Sequence, residues 1–442
     1  MSGLISTTGL WSAEKAVALT GYTPHQHVPN PIEPSFTAPK RVSKLTFGPL
    51  ALAAAVARAA TTRDDAPVAV LDALQRSTLP MLETMIEDGS MFGLSTDFQY
   101  LADTERTFLA ARIGGGITDL YMNALGYTWR ANAACLSPAL DPHADFIYEG
   151  GNASGHGVVL AEAHGSFAAN ASAQSVHLQS KNKYLRQVKP HLAASSPYGK
   201  VIHGYSIAFG SAPSTPGAFL SLSETKIVKP KTPKSLPPST PESEISPDGA
   251  TPTSIALAAH RSNFFLMGGD EVVDWIDWVR TVDDAPPEPL PVEFLRIQYA
   301  GRRFLVHASS LWWIDPPHEW FGELFEYHHP WPRMLRWPLS RRVRSRPHLG
   351  WFAIEETAGT DFLKSLTGII QDGGRSIPET LSLPSLVLSG FGPGEESAGR
   401  SRDDAGYRYA LFRDGLALLG DPYRGRPSGI TVWSPKDGVS TP

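Results

Sequence analysis

Asp145, Glu162 and His164 are the side chains in this sequence best placed to do chemistry. Asp145 heads the segment DFIYE, and Glu162 and His164 lie near the end of GVVLAEAHG. Side chains two apart on a strand share a face, so Asp145, Ile147 and Glu149 line one side of the first segment. Leu160, Glu162 and His164 line one side of the second, with Val159, Ala161 and Ala163 on the other. A run as apolar as this second segment suits a central strand covered on both faces. A carboxylate and an imidazole there are costly unless paired or metal-bound. Two carboxylates on neighbouring strands offer hard oxygen ligands, which suit Mg²⁺ or Mn²⁺, and a metal so held can act on phosphate esters.

The elements that must hold these groups are two strands, a helix and a further strand. The spacing predicts a helix from about residue 171 to 188, with Gln174, Leu178, Lys181, Leu185 and Val188 on one core-facing stripe. A lysine on such a stripe needs an anion to meet, which singles out Lys181. Lys183, Arg186 and Lys189 add positive charge nearby. From Ala163 through Ser223 the chain has no Asp or Glu. An acidic pair followed by a purely basic stretch is the charge pattern of a metal site beside a phosphate-backbone track.

Pro142, Asp145, residues 146–161, Glu162-Ala-His164, then a helix and a strand together resemble the restriction-endonuclease-like, or PD-(D/E)xK, nuclease superfamily. The similarity covers about residues 104–226. It implies an α/β fold with a mixed sheet flanked by helices, and hydrolysis of DNA phosphodiester bonds. It also implies that Asp145 and Glu162 hold Mg²⁺ or Mn²⁺, with the carbonyl of Ala163 as a further ligand. His164 stands where the family usually has lysine. A neutral histidine can accept a proton from the attacking water, and Lys181 on the following helix can restore the missing charge. The same departure suits an inactive nuclease fold serving as a binding or scaffold protein. A role in bacterial defence or DNA processing is what the family resemblance suggests.

Plainer accounts compete. The two carboxylates could cap strand ends, and His164 could be a satisfied core histidine. His156, Glu162, His164 and His177 are types that zinc accepts, but their spacing matches no compact zinc motif. A serine-hydrolase reading lacks a GxSxG elbow.

Composition sets the surrounding limits. A hydrophobic content of 42% with 19% charged residues belongs to a folded chain long enough for two or three domains. The net charge of −5 means that nucleic acid must be met by local patches. One cysteine, Cys135, excludes an internal disulfide framework and reads as a buried small hydrophobe. No run is apolar enough for a membrane span of about 20 residues, and the start lacks the pattern of a secretory signal. A cytoplasmic chain without a membrane partner is the expectation.

Residues 1–41 read as an extended arm and 42–103 as a helical section. The nuclease-like core spans 104–226, including a helix from Thr104 to Leu125 with three central glycines that mark a break or a close backbone approach. YTWRANAACL reads as a strand. A Pro/Ser/Thr-rich linker covers 227–253, and 254–284 forms an amphipathic helix on the core, interrupted near Gly268-Gly269. Residues 285–442 form a C-terminal α+β module with hairpins turning at Ala300-Gly301 and Asp414-Gly415. Arg341, Arg342 and Arg344, beside Trp331 and Trp337, suit phosphate and base contacts, or else a salt-bridged surface. The module is a candidate site for a protein partner.

Overall fold

A computed structural model describes residues 4–6, 10–28, 38–62, 67–136, 141–150, 157–213, 216–228, 250–281, 285–308, 349–374, 376–386, 408–420 and 425–441. Most of the expected linker and the whole tryptophan- and arginine-rich stretch, with Arg341, Arg342 and Arg344, lie outside these residues.

The N-terminal part supplies β1 (Leu4–Ser6), β2 (Lys15–His27), β3 (Lys44–Phe47), α1 (Pro49–Thr61) and α2 (Val68–Met85). Next come α3 (Asp103–Leu125), β4 (Arg130–Asn132), β5 (Phe146–Glu149), β6 (Gly157–Ser166), α4 (Ala173–Lys183), β7 (Ser195–Ser196), β8 (Gly199–Gly210) and β9 (Phe219–Ile227). The remainder comprises β10 (Ala250–Pro252), α5 (Thr253–Met267), α6 (Asp270–Thr281), β11 (Val292–Tyr299), β12 (Arg302–His307), β13 (Leu349–Glu355) and α7 (Glu356–Gln371). It ends with β14 (Thr380–Ser382), β15 (Tyr409–Leu411), β16 (Leu416–Leu419), β17 (Arg426–Ser434) and β18 (Gly438–Ser440).

A first, mixed sheet has the order β3-β2-β9-β8-β6-β5-β4, with α3 and α4 on opposite faces of β6. Its middle is built by consecutive elements: α3, then antiparallel β4, β5 and β6, then α4 crossing over to β8, which runs parallel to β6. The chain is thus an α/β protein with a mixed sheet flanked by helices. The expected arm contributes β2, which pairs with β3 over Lys15–Ala18 and with β9 from Leu19 to His27. The second half of β2 is a sheet edge, where the missing N–H of Pro24 is tolerated.

A second sheet, order β15-β16-β13-β12-β11-β17-β18, is antiparallel throughout, with β1 added along β13. Both expected hairpins are present, β11–β12 and β15–β16. Gly268, left-handed at φ 77°, separates α5 from α6. The residues expected to continue β4 instead form a short 3-10 turn, Ala133–Leu136, because Asn132 Oδ1 accepts the Ala134 N–H at 2.7 Å. α5 is buried on all sides, against α1, β4 and β13. One hydrophobic core runs from the first sheet through α1, α3 and α5 to the inner face of the second, so the C-terminal third shares its core with the rest. Among the described residues no helix is long and apolar enough to cross a membrane.

Two close contacts fix this arrangement. The glycines of α3 mark an approach, not a break. A Cβ on Gly116 would lie 2.5 Å from Val56 Cγ2 on α1, and one on Gly114 would lie 2.6 Å from the Gly165 nitrogen on β6. The second contact is a buried charge cluster. Arg58 of α1 meets Asp119 of α3 at 3.0 Å and Asp414 of the β15–β16 turn at 2.9 Å, while Arg130 of β4 lies 3.4 Å from Asp119. Tyr148 of β5 donates to Asp119 and Asn263 of α5 donates to Asp414. Burial works against the Asp414 charge, yet Arg58 and Arg130 hold its carboxyl below the usual carboxylate range.

Removing one member leaves a buried charge unpaired, so Asp414→Ala should cost about 3–5 kcal/mol in urea denaturation. A loss below about 1 kcal/mol would mean that the cluster is not a structural requirement. Gly165→Ala should destabilise by about 1–3 kcal/mol or more, since its Cβ would fall 1.7 Å from the Ala110 carbonyl oxygen.

Candidate active site

β5 and β6 bring the two expected carboxylates together. Phe146 pairs with Ala161, and one further step along this antiparallel register sets Asp145 opposite Glu162. Asp145 Oδ2 accepts the Ala163 N–H at 2.9 Å. Asp145 is exposed, whereas Glu162 is only 1% exposed. Glu162 and His164 both face α4, and Gly165 faces α3.

The lysine that meets Glu162 is Lys183, whose Nζ lies 3.0 Å from Glu162 Oε1. Lys181, the expected candidate, lies half-buried on the β2 side, where its charge, after burial, helps to lower His25. The reason is the way α4 packs. Its buried positions are Val176 and Ser180, continued by Tyr184 and Val188 in a π-helical turn, Tyr184–Val188. Leu178 and Leu185 instead point to solvent, 53% and 43% exposed. Hydrogen bonds tie this row to the sheet: Ser180 donates to the Ser206 backbone carbonyl at 2.9 Å, and Tyr184 bonds the Thr225 hydroxyl at 2.7 Å. His177 bonds Ser221 and Thr23 and so lies away from Glu162. An expectation of large apolar residues facing the core therefore selects the wrong face of α4. The signal that finds Lys183 is the Val176–Ser180–Tyr184 spacing, which sets residue 183 beside the buried row.

Two side chains at the end of this helical segment hold the stretch before Asp145. Gln187 Nε2 donates to the His143 carbonyl at 2.8 Å, and a ring nitrogen of His191 lies 3.0 Å from the Pro142 carbonyl. The extra residue of a π-turn re-aims the side chains after it, and such turns recur at functional sites. Arg186 and Lys189 are exposed.

The group opens into a cavity of about 1230 Å³. Its lining includes Asp145, Glu162, His164 and Lys183 with Phe108 and Arg112 of α3, Leu257 of α5 and Arg280 of α6. Cys135 also lines it and is exposed, not buried as expected, because the 3-10 turn after β4 brings it to the cavity wall.

Electrostatics mark Glu162 as the unusual group. Burial, and then the charge of Asp145, push its carboxyl up to about 9, with Lys183 pulling the other way. With the carboxyl ionised, its Oε2 is buried without a hydrogen-bond partner; protonated, the carboxyl can bond Asp145. Burial and the Lys183 charge push His164 down to about 4, so its ring is neutral at pH 7. An orphaned carboxylate oxygen beside a second carboxylate is a site that a hard cation would satisfy. Among the described residues, no group of three or more His, Cys, Asp or Glu side chains gathers around such a point.

No protein family, curated protein or solved structure matches this chain.

Because the folded-state value of Glu162 lies above its ordinary 4.5, the protein is favoured with the carboxyl protonated and loses stability as pH rises from there towards about 9. Glu162→Gln, which stays neutral, should raise the melting temperature of the metal-free protein more at about pH 8 than at about pH 5. Scanning calorimetry at both values checks this, and an increment independent of pH would refute a buried, proton-binding Glu162.

Proposed function

We propose that this chain is a metal-dependent nuclease that hydrolyses DNA phosphodiester bonds, with a restriction-endonuclease-like core. The observation that carries the reading is the convergence of Asp145, Glu162 and Lys183 at the end of β6. These groups come from β5, β6 and the helix after them, within the order α3-β4-β5-β6-α4-β8. That order and the positions of the carboxylates are those the resemblance implies, with the lysine moved to the helix.

Asp145 and Glu162 would hold the Mg²⁺ or Mn²⁺, and the orphaned Oε2 of Glu162 is the atom most in need of it. Bound there, a divalent metal supplies Lewis acidity at the scissile phosphate. The Lys183 ammonium, now on Glu162, is within reach of phosphate charge as it develops. His164, neutral and facing the same cavity, can accept a proton from the attacking water on a ring nitrogen. Gln187 and His191 keep the Asp145 strand end in register with the helix that carries Lys183.

A second reading, a DNA-binding protein that keeps the fold without cleavage, draws on Lys183 already paired with Glu162 and on the absence, among the described residues, of a third His, Cys, Asp or Glu ligand at the site.

Purified protein incubated with plasmid and single-stranded DNA, in Mg²⁺ and in Mn²⁺, separates the two. Glu162→Ala should abolish cleavage. Lys183→Ala should lower the rate about 10²–10³-fold, and Lys181→Ala should leave it near the wild-type value. Salt-sensitive binding without cleavage in either metal would establish the binding reading in place of the enzyme.

A further inference from the structure

We infer that the substrate of this site is an unpaired DNA strand, such as a flap, loop or end, and not the interior of a duplex. The inference rests on the nuclease reading above and concerns which form of DNA can reach Glu162.

The cavity is lined by residues of β6, α4, α3, α5 and α6. Its volume of about 1230 Å³ is too small to enclose a stretch of B-DNA, whose major groove alone is about 12 Å wide. Glu162 is only 1% exposed and Lys183 reaches it from inside the cavity, so a phosphate handled by this pair must enter. A single strand meets that condition, because its backbone can thread while its bases turn to the walls.

The walls suit such a strand. Cationic groups come from three different helices: Arg112 of α3, Lys183 of α4 and Arg280 of α6. A chain with net charge −5 that collects arginine and lysine around one cavity gives the phosphates a local track. Phe108 and Tyr198 lie on the same walls, and the Arg112 guanidinium sits 4.9 Å from the Phe108 ring centroid. Aromatic faces and guanidinium planes are what unpaired bases stack on without regard to sequence.

Cys135 provides a reporter. It is the single cysteine of the chain, is exposed, and lines this cavity. The full-length protein is mixed, in EDTA, with a fluorescent oligonucleotide as a single strand, as a blunt duplex, or as a duplex bearing an unpaired flap. Anisotropy and the rate of Cys135 alkylation by iodoacetamide are measured, followed by cleavage in Mg²⁺ and Mn²⁺. The single strand and the flap should bind at least about tenfold tighter than the blunt duplex. They should slow alkylation, be cut while the duplex is spared, and lose affinity in Arg112→Gln. A blunt duplex that is bound and cut as well as the single strand overturns this inference and leaves the nuclease reading standing. Single-strand binding that leaves alkylation of Cys135 unchanged also overturns it, since the strand would then lie outside the cavity. Absence of both binding and cleavage for every DNA overturns the nuclease reading and this inference with it.

Discussion

Two arginines and two aspartates share one volume from which water is almost wholly excluded, and the two sheets of this protein meet there. Arg58, Asp119, Arg130 and Asp414 come from α1, α3, β4 and the β15–β16 turn. Each charge taken alone would cost several kcal/mol to bury. The cost is offset only when all four are in place, with Tyr148 donating to Asp119 and Asn263 to the second oxygen of Asp414. No one of these elements can therefore settle into the core without the others. This couples the C-terminal sheet to the N-terminal half as firmly as the shared apolar core does.

The candidate site inherits its geometry from that coupling. Arg130 and Tyr148 anchor β4 and β5, and the register of β5 on β6 sets Asp145 opposite Glu162. Asp119 anchors α3, whose glycines let it lie directly on the β6 backbone at Gly165. With one face of β6 closed in this way, Glu162 and His164 are left to the face covered by α4. α5, held through Asn263 and Ser262, supplies Leu257 to the cavity lining.

α4 is the element whose packing decides the chemistry. Its buried row is tied to the Ser206 backbone carbonyl of β8 and the Thr225 hydroxyl of β9, so its orientation is set by hydrogen bonds at Ser180 and Tyr184. Hydrogen bonds fix rotation about a helix axis more sharply than apolar contact does, because they are directional. That rotation delivers Lys183 to Glu162. The π-turn at the end of the helix delivers Gln187 to the stretch before Asp145. One helical segment thus ties together Asp145, Glu162 and Lys183.

Much of this was legible in the sequence where local rules govern. The apolar run before Glu162 marked a buried strand, Gly268-Gly269 marked the boundary between α5 and α6, and the turn pairs at Ala300-Gly301 and Asp414-Gly415 marked two hairpins. The glycines of α3 announced a close approach without naming its partner. Asp145 and Glu162 stood out because carboxylates at the ends of apolar strands need a reason to be there. What the sequence could not decide was which lysine meets them. Periodicity assigns helix faces on the premise that large apolar residues turn inward, and that premise fails where the sheet beneath offers serine and threonine. The buried charge cluster was equally hidden, because its members are up to 356 positions apart (Arg58 and Asp414) and each alone reads as an ordinary surface charge. Local sequence fixes strands, turns and helix ends, since their energetics are short-range. Which charges pair, and which face of α4 turns inward, depends on groups brought together only by the complete fold.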